Sequence, residues 1–420
     1  MIEYIVSQEY ARKVVTEESS FSFERGMEEI LGIHWMRHIH GGTFFRDVDS
    51  IVGELSTKKL RTIAKETWPV FELGVSELLD TVQDEKPIDI LQHVKRIMAQ
   101  ATICILLGPT YQNDEDVNRI LNISADVAEL MGLRRHESRM ARKFPRLWRT
   151  LTLTKMVLIR LPLDIGPVFA RRLWADISSR EKRRDPEDET IFSHLVDRYA
   201  STSGSVSFLS KLWITILILT VIFGSVHQTA VIIVWVTYFL ALHPDCQKSL
   251  RDEAESLVRS GMSGSGSEYK ALQNAILADS FVREVLRMKG DAVNAVRVAV
   301  RDVELAGHRI PKGTPVFPVT YLSNRSPDLI SNPDKFDAER WIGTGKSATT
   351  TGQDYLAFGL GRWSCPGRFL AVMEIKAWIL ALVRQADFEL HGGRYKVVDA
   401  YNITAVPPQG YLLMKRRAGY

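Results

Sequence analysis

Cysteine is scarce in this chain: Cys104, Cys246 and Cys365 are the only three among 420 residues. So few, so scattered, they exclude a disulfide framework and fit a reducing compartment. No basic-then-apolar leader follows Met1, so no conventional signal peptide or N-terminal anchor is visible. No glycine-rich fingerprint follows a predicted strand, which leaves the chain without a nicotinamide-nucleotide site of its own. The finger, helix-turn-helix and aromatic-platform patterns that argue for nucleic acid are missing, as are repeats and low-complexity segments. Nor does one sign of charge dominate: 54 Lys and Arg face 50 Asp and Glu, a net charge of +4. The basic residues do gather, at Arg134, Arg135, Arg139, Arg142, Lys143, Arg146 and Arg149, and again at Arg172, Arg180, Lys182, Arg183 and Arg184. Such a face suits an acidic partner protein or an anionic membrane, and equally an ordinary solvated helix.

Over residues 212–242 charge is almost absent. On hydropathy alone that run is long enough to span a bilayer. Its middle nevertheless carries Ser225, His227, Gln228 and Thr229, a cluster that is costly in lipid. A long helix through the centre of a large globular domain accounts for both facts, with apolar surface all round and a polar turn facing a cavity. A hydrophobic content of 45% supports a core of that size.

The chain reads as helical over about 7–243, with breaks near Gly41-Gly42, Leu107-Gly108-Pro109, Leu161-Pro162 and residues 201–204. Further helices are expected over 247–259 and 269–288, on either side of a flexible Ser/Gly loop at 260–266. Short alternating stretches over 296–317, with turns at Ala306-Gly307 and Pro311-Lys312-Gly313, predict a small sheet. The fold class is mainly α with a minor β region. No domain boundary is visible, so residues 1–420 read as a single domain.

The run Phe358-Gly359-Leu360-Gly361-Arg362-Trp363-Ser364-Cys365-Pro366-Gly367 offers one cysteine from a glycine-rich turn that opens into an apolar helix. Gly361 and Gly367 let backbone approach a flat object closely, and Pro366 suits a first helical turn. A thiolate there sits where a helix N-terminus and backbone amides favour negative charge. Cys365 is therefore the expected ligand of a haem iron. Upstream, Glu284 and Arg287 share one helical face, and Arg340 follows in Phe336-Asp337-Ala338-Glu339-Arg340-Trp341. If the three meet, they form a buried clasp that fixes the loops leading to Cys365.

With these motifs the chain resembles the cytochrome P450 family, the haem-thiolate monooxygenases, over essentially its whole length. Phe358, Gly361, Cys365 and Gly367 match the family's cysteine motif, Glu284 and Arg287 its Glu-x-x-Arg helix, and Arg340 by context its later arginine. The flavour of 223–229 and 358–369 is that of filamentous-fungal members that oxidise terpenoids, indole diterpenes and related precursors. The resemblance implies a P450 fold and heme b (iron protoporphyrin IX) with Cys365 as axial ligand. It implies an NADPH-cytochrome P450 reductase-type flavoprotein as electron donor and a lipophilic small-molecule substrate that gains one oxygen atom of dioxygen while the other leaves as water. Residues 221–229, 293–296 and 405–410 are expected to border the substrate pocket.

Three departures from the family pattern stand out. By register His227 takes the acid position of the central helix, Gln228 that of the usual first threonine, and Thr229 the second. His227 and Thr229 are then expected in proton delivery, and Gln228 in contact with oxygen, water or substrate, at a local widening of the helix. An amide does not pass a proton as readily as a hydroxyl. Trp363 stands where the family places a cation near a haem propionate, so Arg362, Arg297 or Lys312 is expected to compensate. Finally, the anchor, hinge, first helix and first sheet strands of a full member are expected to be missing. A longer native chain would belong on the cytoplasmic face of the endoplasmic reticulum membrane; otherwise the protein is cytoplasmic or peripheral. The alternatives are a haem-thiolate isomerase, dehydratase or desaturase, or a truncated inactive paralogue.

Overall fold

The computed structural model of the chain describes residues 3–31, 33–83, 86–108, 111–130, 138–155, 158–159, 163, 173–175, 177–178, 190–201, 204–261, 266–290, 295–399 and 405–419. Several features read from sequence lie outside the described residues: Arg134, Arg135, Arg172, Arg180, Lys182, Arg183 and Arg184, the breaks at Pro109 and Leu161-Pro162, the loop centre 262–265, and Val293.

Helices dominate, as the apolar periodicity predicts. They are α1 (Gln8–Thr16), α2 (Phe23–Leu31), α3 (Phe44–Lys58), α4 (Leu60–Thr81), α5 (Leu91–Leu107), α6 (Asp114–Leu130), α7 (Arg139–Lys143) and α8 (Pro145–Lys155). Then follow α9 (Ile191–Tyr199), α10 (Phe208–Phe223), a π-helical turn (Gly224–Thr229), α11 (Ala230–Leu242), α12 (Pro244–Gly261), α13 (Ser267–Asn274), α14 (Ile276–Met288), α15 (Thr320–Asn324) and α16 (Arg368–Gln385). The helix expected over 269–288 is in fact two, because Ala275 leaves the helical region at φ −74°, ψ 77°. Pro244 opens α12 in place of preceding it, since its missing N–H costs nothing in a first turn.

The contacts group into two compact units, Met1–Met36 with Ser56–Leu91 and Val231–Tyr420, and Arg37–Leu55 with Gln92–Ala230. Three of the four crossings fall inside helices α3, α5 and α11, so no change of composition marks them.

Among the described residues the first unit holds all the strands: β1 (Tyr4–Val6), β2 (Phe21–Ser22), β3 (Arg297–Ala299), β4 (Val303–Leu305), β5 (His308–Ile310), β6 (Pro315–Pro318), β7 (Ala386–Leu390) and β8 (Leu412–Arg416). The larger sheet has the order β1-β6-β3-β2. β1 runs parallel to β6 with Tyr4 opposite Val316, and β3 runs antiparallel to β6 with Arg297 opposite the same residue. Val6, Val14, Phe21, Ala299 and Val316 form its buried core. Two strands thus come from the N-terminal region expected to supply none; two- and three-residue strands are too short to show an alternating pattern. β1 is the end strand, with Ile5 70% exposed. β4 and β5 form the expected hairpin about Ala306-Gly307. The β7–β8 pairing was not legible, because even its nearest partners, Leu390 and Leu412, lie 22 residues apart in sequence.

α16 packs against α4 and α12, with Trp378 fully buried and its indole N–H on Thr237 Oγ1 of α11 at 3.0 Å. In the second unit α5 is buried from Ala101 to Leu107, and the buried carboxylate of Asp47 accepts from Thr43, Trp213 and Arg198. The helical run Phe208–Leu242 is long and apolar enough to cross a membrane by length and composition, and half of its most apolar stretch is buried within protein.

Candidate functional site

Glu284 lies on α14 with its side chain wholly buried. A carboxylate in that position is stable only if every lone pair is met. Arg287 supplies a bidentate pair, Nε to Oε2 at 2.9 Å and Nη2 to Oε1 at 2.8 Å. Oε1 also accepts from Arg340 Nε at 2.9 Å and from the backbone N–H of Asp337 at 3.2 Å. Trp341 Nε1 completes the set at 3.0 Å from Oε2. The three residues singled out from sequence therefore meet. The guanidiniums spend their remaining donors on loop carbonyls: Arg287 on Asn324 and Pro333, Arg340 on Ser331, Asn332 and Lys335.

Sequence reasoning missed three members of this network. Trp341 adds a neutral donor, as a buried indole must. Arg283 lies between two rings, 3.9 Å from Tyr355 and 4.5 Å from Trp341, and donates to Ser347 and Thr350 carbonyls. Burial holds its guanidinium below the usual arginine range, against the charges of Tyr355, Asp354, Asp279 and Glu284. Asn324 joins the clasp to the cysteine loop: its carbonyl accepts from Arg287 and its Oδ1 accepts Leu356 N–H at 2.8 Å. The adjacency of Arg283 and Trp341 to clasp residues was a usable signal; Asn324 offered none.

Past Leu356 the chain turns through Gly359 at φ 71° and Gly361 at φ 76°, conformations that L side chains rarely adopt. A β-carbon on Gly361 would also come within 3.1 Å of Thr16 Cγ2, so the turn sits directly on α1. Cys365 donates its N–H to Phe358 O at 2.8 Å, which closes the loop and leaves the residue exposed. Arg368 holds Cys365 O from the other side, through Nη1 at 2.9 Å. The helix begins at Arg368 rather than at Pro366, because Pro366-Gly367 form a turn first. A recess of about 560 Å³ beside the loop is bordered by Arg12, Thr16, Lys346, Leu360 and Gly361.

Trp363 stacks on Phe23 with centroids 5.0 Å apart and planes 19° from parallel. The Arg362 guanidinium lies 4.8 Å from the Trp363 ring, and that of Arg297 5.1 Å from Phe23. Arg297 is 2% exposed and, among the described residues, donates to the carbonyls of Val296 and Val15. Burial pulls its guanidinium down to about 10, with only the charge of Glu18 opposing. Among the described residues it has no hydrogen-bonded carboxylate, so it is a buried cation without a direct counter-ion. Lys312, by contrast, is exposed after β5, with its backbone N–H on Asp302.

In the second unit the expected local widening is present as the π-helical turn Gly224–Thr229. His227 and Thr229 are buried, Gln228 is half-buried, and the His227 ring stacks on Phe223 at 5.9 Å. Ser225 Oγ is 2.9 Å from Thr102 Oγ1. In the first unit α11 pins the terminal turn: Trp235 Nε1 donates to Val406 O and Tyr238 OH to Gly410 O.

No group of three or more His, Cys, Asp or Glu suited to a metal ion occurs among the described residues. An exposed thiol at the end of a fixed turn and a buried guanidinium awaiting a carboxylate fit haem, which carries both iron and carboxylates.

A family model described as Cytochrome P450 matches residues 2–414. The chain is similar to the cytochrome P450 monooxygenase CYP512U6 of Ganoderma lucidum, with 36% identity over 197 residues, 44% of this chain and 38% of that protein. It is similar to paxP of Penicillium paxilli, with 30% identity over 233 residues, 54% of this chain and 43% of that protein. Abscisic acid 8'-hydroxylase 1 of Arabidopsis thaliana is 28% identical over 254 residues, 60% of this chain and 50% of that protein. The chain spans half or less of the length of these curated relatives. On a match running nearly from end to end, this chain belongs to the cytochrome P450 family.

Proposed function

We propose that the chain is a haem-thiolate monooxygenase of a lipophilic small molecule, with both units acting as one P450 domain. The observation that carries this reading is the Cys365 loop, closed on Phe358 and tied through Asn324 to the buried Glu284 clasp. Bound heme b supplies the dioxygen chemistry. The overall change consumes substrate, O2, two electrons and two protons, and yields the oxygenated product and water.

Cys365 Sγ would ligate the haem iron, and Arg297 would neutralise a cofactor carboxylate. His227 holds and passes a proton at its imidazole nitrogens, and Thr229 moves one through its hydroxyl. Gln228 orients water or substrate through its amide. The apolar helix surface at 221–229 borders a pocket for an apolar molecule. Relatives among fungal P450 monooxygenases, and one named for hydroxylating abscisic acid, support a secondary-metabolite substrate of terpenoid type. Electrons come from a separate NADPH-dependent flavoprotein reductase, and Arg12, at the recess beside the cysteine loop, suits its acidic surface. Peripheral association with the cytoplasmic face of the endoplasmic reticulum suits that partner.

The test is turnover of a terpenoid panel by the haem-loaded chain with reductase and NADPH under 18O2. A product with one labelled oxygen supports monooxygenation. The half-buried amide of Gln228, in place of a hydroxyl, favours one second reading, a haem-thiolate isomerase, dehydratase or desaturase. That activity gives product without the label.

A further inference from the structure

Trp363 lies two residues before Cys365, where the family pattern carries a cation. Its ring rests instead on Phe23, the first residue of α2. α2 is itself clamped to β3: a β-carbon on Gly26 would come within 3.0 Å of Val296 O and 3.2 Å of Arg297 Cα. Phe21, two residues before Phe23, pairs with Ala299 on the same strand. The Arg297 guanidinium in turn lies over the Phe23 ring. One continuous set of contacts therefore runs from the cysteine loop, through Trp363 and Phe23, to the buried cation Arg297.

We infer that Trp363 is a positioning residue which, by stacking on Phe23, fixes Cys365 relative to Arg297. The inference rests on the haem reading. A thiol for the iron and a cation for a carboxylate grip one rigid cofactor, so holding it requires a fixed spacing between them. A cation at 363 would contribute a second charge contact; an indole contributes a rigid aromatic spacer, which salt does not screen. Charge neutralisation then falls to Arg297, and the stack keeps that arginine in register with the ligand.

The test is the rate of haem transfer from the loaded full chain to excess apomyoglobin, at low and high salt. Trp363→Ala and Phe23→Ala should each release haem about three- to tenfold faster, the range of one aromatic pair. The double variant should be no faster than the faster single one, because each single change already breaks the Trp363–Phe23 stack. Trp363→Phe should restore slow release. Arg297→Gln should abolish the salt dependence of release, whereas Trp363→Ala should keep it. Additive single effects, or wild-type release from Trp363→Ala, would overturn the inference while leaving the haem reading intact. A wild-type chain that takes up no haem overturns both. If Trp363→Ala does not fold, Trp363→Leu, apolar but without a ring face, serves as the test, with the same expected and overturning rates.

Discussion

Asn324 and Leu356 are joined by a single 2.8 Å hydrogen bond, Leu356 N–H to Asn324 Oδ1, buried and 32 residues apart in sequence. Through it the Glu284–Arg287 clasp reaches the loop that presents Cys365, because Arg287 holds the backbone carbonyl of the same asparagine. Asn324→Ala leaves the Leu356 N–H buried without its acceptor. The expected cost is about 1–3 kcal/mol of stability, with faster haem loss than in Asn324→Asp, whose carboxylate oxygen still accepts. Thermal unfolding and haem occupancy read both effects; equal behaviour of the two variants would contradict the bridge.

Trp341 is the neutral member of the clasp. Trp341→Phe removes one donor from the buried Glu284 carboxylate and should cost about 1–3 kcal/mol. Glu284→Ala strands two guanidiniums and should cost about 3–5 kcal/mol. A urea titration that ranks Trp341→Phe as the worse of the two would contradict the assignment of Glu284 as the hub.

Glu374, on α16, is fully buried, and neither carboxyl oxygen has a hydrogen-bond partner among the described residues. Burial pushes its carboxyl up from 4.5 to about 8. Below pH 4.5 the group is protonated in both folded and unfolded chains, and its contribution to stability is fully present. As pH rises toward 8 the unfolded chain ionises while the folded one keeps its proton, so stability falls by at most about 1.4 kcal/mol per pH unit. Glu374→Gln keeps a neutral side chain of the same shape and should flatten that limb. Urea midpoints at pH 5 and 8 check it, and an unchanged slope would reject a neutral Glu374.

Gln228 occupies a half-buried position of the π-turn. If proton relay limits the reaction, Gln228→Thr should raise the fraction of NADPH electrons recovered in product. Product formed per NADPH oxidised is the measurement. Unchanged coupling would mean that the amide is not the weak link.

Long-range chemistry was more legible in the sequence than short-range geometry. Glu284, Arg287 and Arg340 were readable as a set because a buried charge requires partners, and the cysteine loop because its glycines and lone thiol serve no core. The polar residues inside an apolar helix pointed to a turn that is π-helical. What escaped notice has physical causes as well. β1 and β2 are too short to alternate, and their pairing depends on β6, 312 residues away, and β3, 278 residues away. Asn324 acts through both its backbone and its side chain, which composition does not reveal. Trp363 read as the loss of a cation, and only Phe23 beside it shows what the indole does.

The most direct measurement is the reduced, carbon-monoxide-treated difference spectrum of this 420-residue chain beside Cys365→Ala. A Soret band near about 450 nm in the first and not in the second is the predicted result, the signature of thiolate-ligated haem. A chain that takes up no haem, or a band that survives the loss of Cys365, would contradict the account.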